Sequence, residues 1–172
     1  MMLFLLGMPG AGKSAVGMEI SELLKSPLID LDQYITEKEK LSIPDIFKKK
    51  GEDYFRQTEW KSLTEIAASK KSAVVSLGGG TPCYRGNMNI ILKSGISVYL
   101  QTNPEVLCQR IEGDSRIRPL FSKHKGKDLL RKLNEMISHR EPHYLKAAHT
   151  IQTDELTPSQ AAEKILSLLQ VK

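Results

Sequence analysis

The sequence predicts an α/β fold in which helices cover both faces of a parallel sheet. Short apolar runs of strand length alternate along the chain with segments of helical spacing, and a glycine-rich turn joins the first strand to the first helix. The 172 residues fit one domain, and no repeat, low-complexity tract or linker divides them. We therefore expect a single domain over residues 1–172, with ligands at the carboxyl ends of the strands.

The predicted strands are apolar runs bounded by turn residues: Met2–Leu6, Leu28–Leu31, Ala73–Leu77, Ile96–Leu100 and the weaker Thr150–Gln152. The predicted helices lie between these strands: Ser14–Leu24, Glu52–Ser69, Pro104–Ile111, residues 128–144 and Pro158–Leu169. Thr157 and Gln160 form a capping-box pattern at the start of the last helix. A short additional helix is indicated by Ser42 as its N-cap and Gly51 as its stop.

The composition is that of an ordinary globular protein, with 40% hydrophobic and 26% charged residues. No apolar stretch has the length of a membrane span, and no export signal precedes the first strand. Two cysteines, Cys83 and Cys108, are too few for a disulfide framework. We expect a cytoplasmic protein that does not bind membranes.

The chain carries 25 Lys and Arg against 20 Asp and Glu, a net charge of +5. The lysines are scattered in small groups without interleaved aromatic residues, so we do not expect nucleic-acid binding. Solvated helix ends account for most of them, and the remaining positive potential suits small anionic substrates.

A Walker A pattern follows the first predicted strand, in the segment GMPGAGKS over residues 7–14. Backbone N–H groups of such a turn, together with the next helix N-terminus, bind phosphate. Lys13 can contact the β- and γ-phosphates, and the Ser14 hydroxyl can ligate Mg²⁺. An ordinary glycine-rich turn leaves the Lys-Ser pair unexplained, so the pattern predicts binding of a nucleoside triphosphate.

Asp30 and Asp32 stand two residues apart at the end of the second strand. If the strand continues through both, their carboxylates share one face beside the phosphate loop. Phosphoryl transfer to a hydroxyl uses one carboxylate near the metal and often a second as proton acceptor. The alternative is that Asp32 only caps a helix that begins at Gln33.

Three further groups are candidates for anion contacts. Arg56 lies four residues after Glu52 and three before Glu59, so either carboxylate can hold its guanidinium, although spacing alone favours a surface ion pair. Gly78, Gly79 and Gly80 end the third strand and allow a ligand to approach the backbone closely, although a tight turn remains an alternative. Further candidates for bidentate anion contacts are Arg110, Arg118 and Arg140, although each of them taken alone is more typical of a solvated surface arginine.

The segment 113–127 is polar, basic and aperiodic. A charged loop of this length in a phosphoryl-transfer domain is typical of a mobile lid, and disorder is the alternative.

The ordered motifs GMPGAGKS, DLD, SIPDIF, GEDYFRQTE, SLGGG, RIRPLF and REPHY resemble the shikimate kinase family over almost the whole chain. This resemblance implies a five-stranded parallel sheet ordered 2-3-1-4-5, a substrate-binding region over about 32–60 and a lid. It also implies ATP-dependent phosphorylation of the 3-hydroxyl of shikimate, in aromatic amino-acid biosynthesis, and we expect a monomer.

The resemblance also implies roles for individual residues. ATP is bound by Gly10, Ala11, Gly12, Lys13, Ser14, Ala15, Arg110 and Arg118, and Mg²⁺ by Ser14 and Asp30. Shikimate is bound by Asp32, Arg56, Gly78, Gly79, Gly80 and Arg140, and the catalytic residues are Lys13, Asp32 and Arg118. Two residues depart from the family pattern, Ala15 after the phosphate-loop serine and Phe121 in the lid, and neither alters these expectations.

Two other functions are consistent with parts of the pattern. A gluconate or nucleoside-monophosphate kinase would share the phosphate loop, and a regulatory module could keep the cleft without turnover. The arginines and the triple glycine favour shikimate over the former, and intact Lys13, Asp32 and Arg118 argue against the latter.

Overall fold

The computed structural model describes residues 1–69, 71–113, 121 and 124–170. Five strands form one parallel sheet: β1 (Met2–Leu6), β2 (Leu28–Asp30), β3 (Ala73–Ser76), β4 (Ile96–Gln101) and β5 (His149–Gln152). The strand order is β2-β3-β1-β4-β5, which confirms the order that the resemblance implied. All five residues of β1 are buried, as expected for the central strand of a covered parallel sheet.

Seven helices flank the sheet in the described part of the chain: α1 (Lys13–Leu24), α2 (Leu31–Glu39), α3 (Ile43–Ala68), α4 (Asn87–Ser94), α5 (Pro104–Glu112), α6 (Gly126–Tyr144) and α7 (Pro158–Leu168). A 3-10 turn covers Thr81–Cys83. The predicted capping box is present, since Gln160 N–H donates to Thr157 Oγ1 at 3.2 Å and Thr157 N–H donates to Gln160 Oε1 at 2.9 Å. No described helix is long and apolar enough to cross a membrane.

Gly51 ends the short helix that Ser42 caps, as predicted: its φ of 81° and ψ of 171° are not helical, and α3 consists of two helices that meet there at a kink. The structure differs from the prediction in three other helices. The predicted helices did not include α2 or α4. Helix α6 begins at Gly126, two residues before the predicted start at residue 128. The last two residues of the predicted lid, 126–127, are therefore helical.

The parallel register brings the sequence motifs to one edge of the sheet. Ser76 pairs with Leu5 of β1 on one side and with Asp30 of β2 on the other. Because parallel strands end at the same edge, the phosphate loop, Asp30 and the triple glycine lie side by side.

Candidate active site

The phosphate loop adopts a backbone conformation that requires glycine. Gly10 and Gly12 have φ of 89° and 88°, in the left-handed region. A Cβ at Gly7 would lie only 2.7 Å from the Leu100 carbonyl oxygen. Lys13 Nζ donates to the Gly7 and Met8 carbonyls, at 2.9 Å each, which holds the ammonium against the loop. This arrangement of backbone turn, helix start and lysine is suited to phosphate.

Three oxygen-bearing side chains meet beside the start of α1. Ser14 Oγ donates to Asp30 Oδ2 at 2.7 Å and lies 3.2 Å from the Ser76 hydroxyl oxygen. Hard oxygen donors of this kind suit Mg²⁺, which binds through few protein groups and keeps phosphate and water oxygens as its other ligands. Within the described ranges, no group of three or more His, Cys, Asp or Glu side chains could hold a metal ion.

Asp30 also caps the helix that follows β2. Its Oδ1 accepts the N–H groups of Asp32, at 3.1 Å, and Gln33, at 3.3 Å, so Asp30 is the N-cap of α2. The alternative in which Asp32 caps the helix is wrong. The strand also ends at Asp30, so the two carboxylates do not meet through strand alternation; Asp32 lies in the first turn of α2.

Asp32 lies among charged groups in the first turn of α2. Part of the residue is exposed to solvent, yet surrounding protein desolvates its carboxyl group, and this desolvation is the largest cause that raises its pKa to about 6. The negative charges of Asp30 and Glu59 raise the pKa further, while Lys13 and Arg56 oppose the shift. A carboxyl group with a pKa near 6 can serve as a proton acceptor at neutral pH.

Arg56 is held by both carboxylates that the helical spacing predicted. Its NH1 donates to Glu59 Oε2 at 3.0 Å, and its Nε and NH2 donate to Glu52 Oε1 at 3.3 Å. Glu59 is only 1% exposed and also accepts from Thr81 Oγ1 at 2.5 Å. The group is therefore a partly buried, oriented ion pair and not the surface pair that spacing alone favoured.

The triple glycine brings the three predicted substrate residues together. A Cβ at Gly78 would lie 3.0 Å from Asp32 Oδ1, one at Gly79 would lie 3.1 Å from Arg140 NH1, and one at Gly80 would lie 2.9 Å from Arg56 NH1. Each glycine thus makes room for a different charged side chain. A carboxylate and two guanidinium groups converge on one short loop.

Cys83 lies beside the same arginines. It is half-buried, and burial raises the pKa of its thiol, whereas the nearby positive charges of Arg140 and Arg56 lower it.

Arg110 lies on a different side of the phosphate loop. Its NH2 donates to the carbonyl oxygens of Thr153, at 2.7 Å, and Asp154, at 3.3 Å, just after β5. It is therefore separate from the group formed by Asp32, Arg56 and Arg140. Arg118 and most of the predicted lid lie outside the described residues.

Comparison with known proteins gives a consistent result. The shikimate kinase family model matches residues 9–170. The chain belongs to the shikimate kinase family. Members of this family are ATP-dependent phosphotransferases. A shikimate kinase from Phocaeicola vulgatus is 35% identical over 170 residues, which cover 99% of this chain and 97% of the relative.

Solved shikimate kinase structures share the whole fold. The crystal structure from Bacteroides thetaiotaomicron has a TM-score of 0.94 at 31% identity, covering 99% of this chain and 98% of the other. The Acinetobacter baumannii shikimate kinase, solved in complex with shikimate, has a TM-score of 0.88 at 36% identity and covers 98% and 92% of the two chains.

Three contributors to the site of this shikimate kinase family member were not predicted from the sequence: Thr81, which bonds Glu59, Ser76 beside Ser14, and Tyr144. The available signals were weak. Ser76 stands two residues before the triple glycine, separated from it by Leu77.

Proposed function

We propose that this chain transfers the γ-phosphoryl group of ATP to the 3-hydroxyl of shikimate, with Mg²⁺ as the metal. The observation that carries the proposal is the convergence of Asp32, Arg56 and Arg140 on the triple glycine. An anionic, polyhydroxylated acceptor needs cationic groups at its carboxylate and a carboxylate at its hydroxyls, and this group offers both.

The acceptor carboxylate binds Arg56 and Arg140, and the reacting hydroxyl faces Asp32. The hydroxyl proton passes to an Asp32 carboxylate oxygen as the 3-oxygen forms a bond to the γ-phosphorus. The bond between the γ-phosphorus and the β,γ-bridging oxygen breaks, and ADP leaves. Since the Asp32 pKa of about 6 lies below neutral pH, the carboxyl group is mostly ionised and ready to accept the proton.

The nucleotide phosphates lie in the loop formed by Gly10, Ala11, Gly12, Lys13, Ser14 and Ala15. The Ser14 hydroxyl and the Asp30 carboxylate would hold Mg²⁺, which when bound neutralises charge on the phosphates. Their mutual hydrogen bond, at 2.7 Å, supports a shared role. Arg110 contacts the adenine side of ATP, and Arg118 reaches its phosphates from the lid.

We further propose that residues 32–60 form the substrate-binding region and that residues 113–125 close over ATP as a lid. A closed lid excludes water, which limits ATP hydrolysis without an acceptor. We expect the enzyme to act as a monomer in the cytoplasm, where the free thiols of Cys83 and Cys108 stay reduced.

A coupled ADP-release assay across several acceptors tests the proposal. MgATP with shikimate is expected to give sustained turnover, whereas gluconate, AMP and GMP give only the acceptor-free background. Turnover with gluconate or a nucleotide but not with shikimate would contradict the proposed substrate. Binding of ATP and shikimate without ADP release would instead favour a regulatory module.

A further inference from the structure

Tyr144, the last residue of α6, connects two loops of the candidate site. Its side chain is fully buried, and its hydroxyl donates a hydrogen bond to the Gly79 carbonyl oxygen in the triple glycine. The same hydroxyl lies 3.7 Å from the Met8 sulfur in the phosphate loop. Burial is the largest cause that raises the pKa of this phenol, so it remains a protonated donor throughout the physiological range.

The bond to Gly79 fixes the orientation of the Gly79–Gly80 peptide group. No peptide bond between described residues is cis, and in a trans peptide the C=O and the next N–H point in opposite directions. Because Tyr144 holds the Gly79 carbonyl toward the buried side, the Gly80 N–H points away from it. Within the described chain this N–H has no protein acceptor, and Gly80 is partly exposed beside Arg56.

Packing on the other side of Gly79 makes this position tight. A Cβ at Gly79 would lie 2.8 Å from Pro9 Cδ in the phosphate loop. Arg140 precedes Tyr144 by one helical turn on α6, and its NH1 lies 3.1 Å from the same Cβ position. Gly79 is therefore enclosed by the phosphate loop, Arg140 and the Tyr144 hydroxyl.

We propose that Tyr144 is a positioning residue for the acceptor, whose hydroxyl holds the Gly79–Gly80 peptide so that the Gly80 N–H faces the acceptor carboxylate between Arg56 and Arg140. This inference rests on the proposed function. The Tyr144 hydroxyl does not touch the acceptor. It acts through the peptide that it orients, through its contact with the phosphate loop, and through the Arg140 side chain, with which it also forms a hydrogen bond.

The test is Tyr144→Phe, which removes one oxygen and keeps the ring that packs at 5.0 Å from the Tyr99 ring. We expect the shikimate KM to rise about three- to tenfold, the effect of one net hydrogen bond, with the MgATP KM changed less than about twofold. Tyr99→Phe is the matched control, because it removes the neighbouring buried phenol, which bonds Glu141 at 3.1 Å and not the glycine loop.

Thermal melts of each variant set an assay temperature at which all of them are folded. The proposal predicts a higher shikimate KM for Tyr144→Phe than for Tyr99→Phe, even where both lose the same stability. Equal shikimate KM values in Tyr144→Phe and the wild type would overturn it, and so would equal increases in the two variants. A wild-type enzyme without shikimate-dependent ADP release would instead contradict the proposed function itself.

Discussion

The Arg56 guanidinium donates to the nearly inaccessible carboxylate of Glu59 at 3.0 Å, so the arginine that is proposed to bind the acceptor is also the partner of a buried charge. Removing one member of such a pair leaves the other uncompensated. Arg56 therefore has a structural role that can be separated from its proposed binding role.

The first prediction concerns this separation. Arg56→Ala and Arg140→Ala should each raise the shikimate KM at least about tenfold, since a hydrogen bond to a charged group contributes roughly 1.5–3 kcal/mol. Only Arg56→Ala removes the ion-pair partner of the buried Glu59 carboxylate. We therefore expect it to lower the melting temperature more than Arg140→Ala does. Steady-state kinetics and thermal melts measure the two effects.

Arg131→Ala is the matched control for these variants. Arg131 is an exposed α6 arginine that pairs with Asp128 at 2.7 Å and Glu135 at 3.2 Å on the surface. Its loss should leave the shikimate KM unchanged. An unaltered KM in Arg140→Ala would contradict the role assigned to Arg140.

The second prediction concerns Asp32. Asp32→Asn keeps the shape but removes the proton acceptor, so kcat should fall by about 10²-fold or more. In the wild type, kcat/KM should decline as the pH falls through about 6, because the carboxyl group becomes protonated. A pH-rate profile of both enzymes measures this, and a near-normal kcat in Asp32→Asn would mean that the reaction needs no base at this position.

The raised pKa also has a consequence for stability. A carboxyl group whose pKa is higher in the folded than in the unfolded state destabilises the fold as the pH rises from about 4 to above 6. Asp32→Asn removes this penalty, so its melting temperature at pH 7 should exceed that of the wild type. A lower melting temperature would indicate that the Asp32 charge is stabilising in the fold.

The third prediction concerns the metal. Asp30→Asn preserves a side chain that can cap α2 but removes the charge beside Ser14. The Mg²⁺ concentration that gives half-maximal activity should rise about ten- to one-hundredfold, the usual cost of disturbing a metal's supporting ligands. Ser138→Ala, an exposed hydroxyl that bonds the Glu135 carbonyl, is a control that should show no change. An unchanged Mg²⁺ requirement in Asp30→Asn would separate Asp30 from the metal.

The fourth prediction concerns Cys83. The positive charges of Arg140 and Arg56 lie close enough to the Cys83 thiol to lower its pKa. Shikimate bound to these two arginines should therefore slow labelling of Cys83 by a thiol reagent. Cys108→Ser removes the other, buried cysteine and makes the labelling signal specific. Equal labelling rates with and without shikimate would contradict the proximity of Cys83 to the acceptor.

The sequence predicted the strands to within about one residue, because buried parallel strands are short apolar runs bounded by turns. It did not predict α2, which follows β2 without a loop because Asp30 ends the strand and caps the helix. Nor did it predict α4, which starts after Gly86 without a side-chain cap. The strand order came from the resemblance alone, since local patterns do not specify which strands pair.

In the candidate site, too, groupings of residues close in sequence could be predicted, whereas contacts that depend on packing could not. The residues of the phosphate loop follow each other in sequence, so their grouping could be predicted from spacing. The hydroxyl of Tyr144 reaches Gly79 across 65 positions, and this contact depends on how α6 packs. Asp32 was correctly expected near Asp30, but through strand alternation, whereas the first turn of α2 brings it there.

The most direct test of the central claim is to identify the atom that receives the phosphoryl group. Purified enzyme is incubated with MgATP and shikimate, and the product is examined by ³¹P–¹H correlation NMR. We predict one phosphate monoester, equimolar with ADP, whose phosphorus is coupled to the proton on carbon 3 of shikimate. Coupling to the proton on carbon 4 or 5, or release of inorganic phosphate alone, would contradict the account.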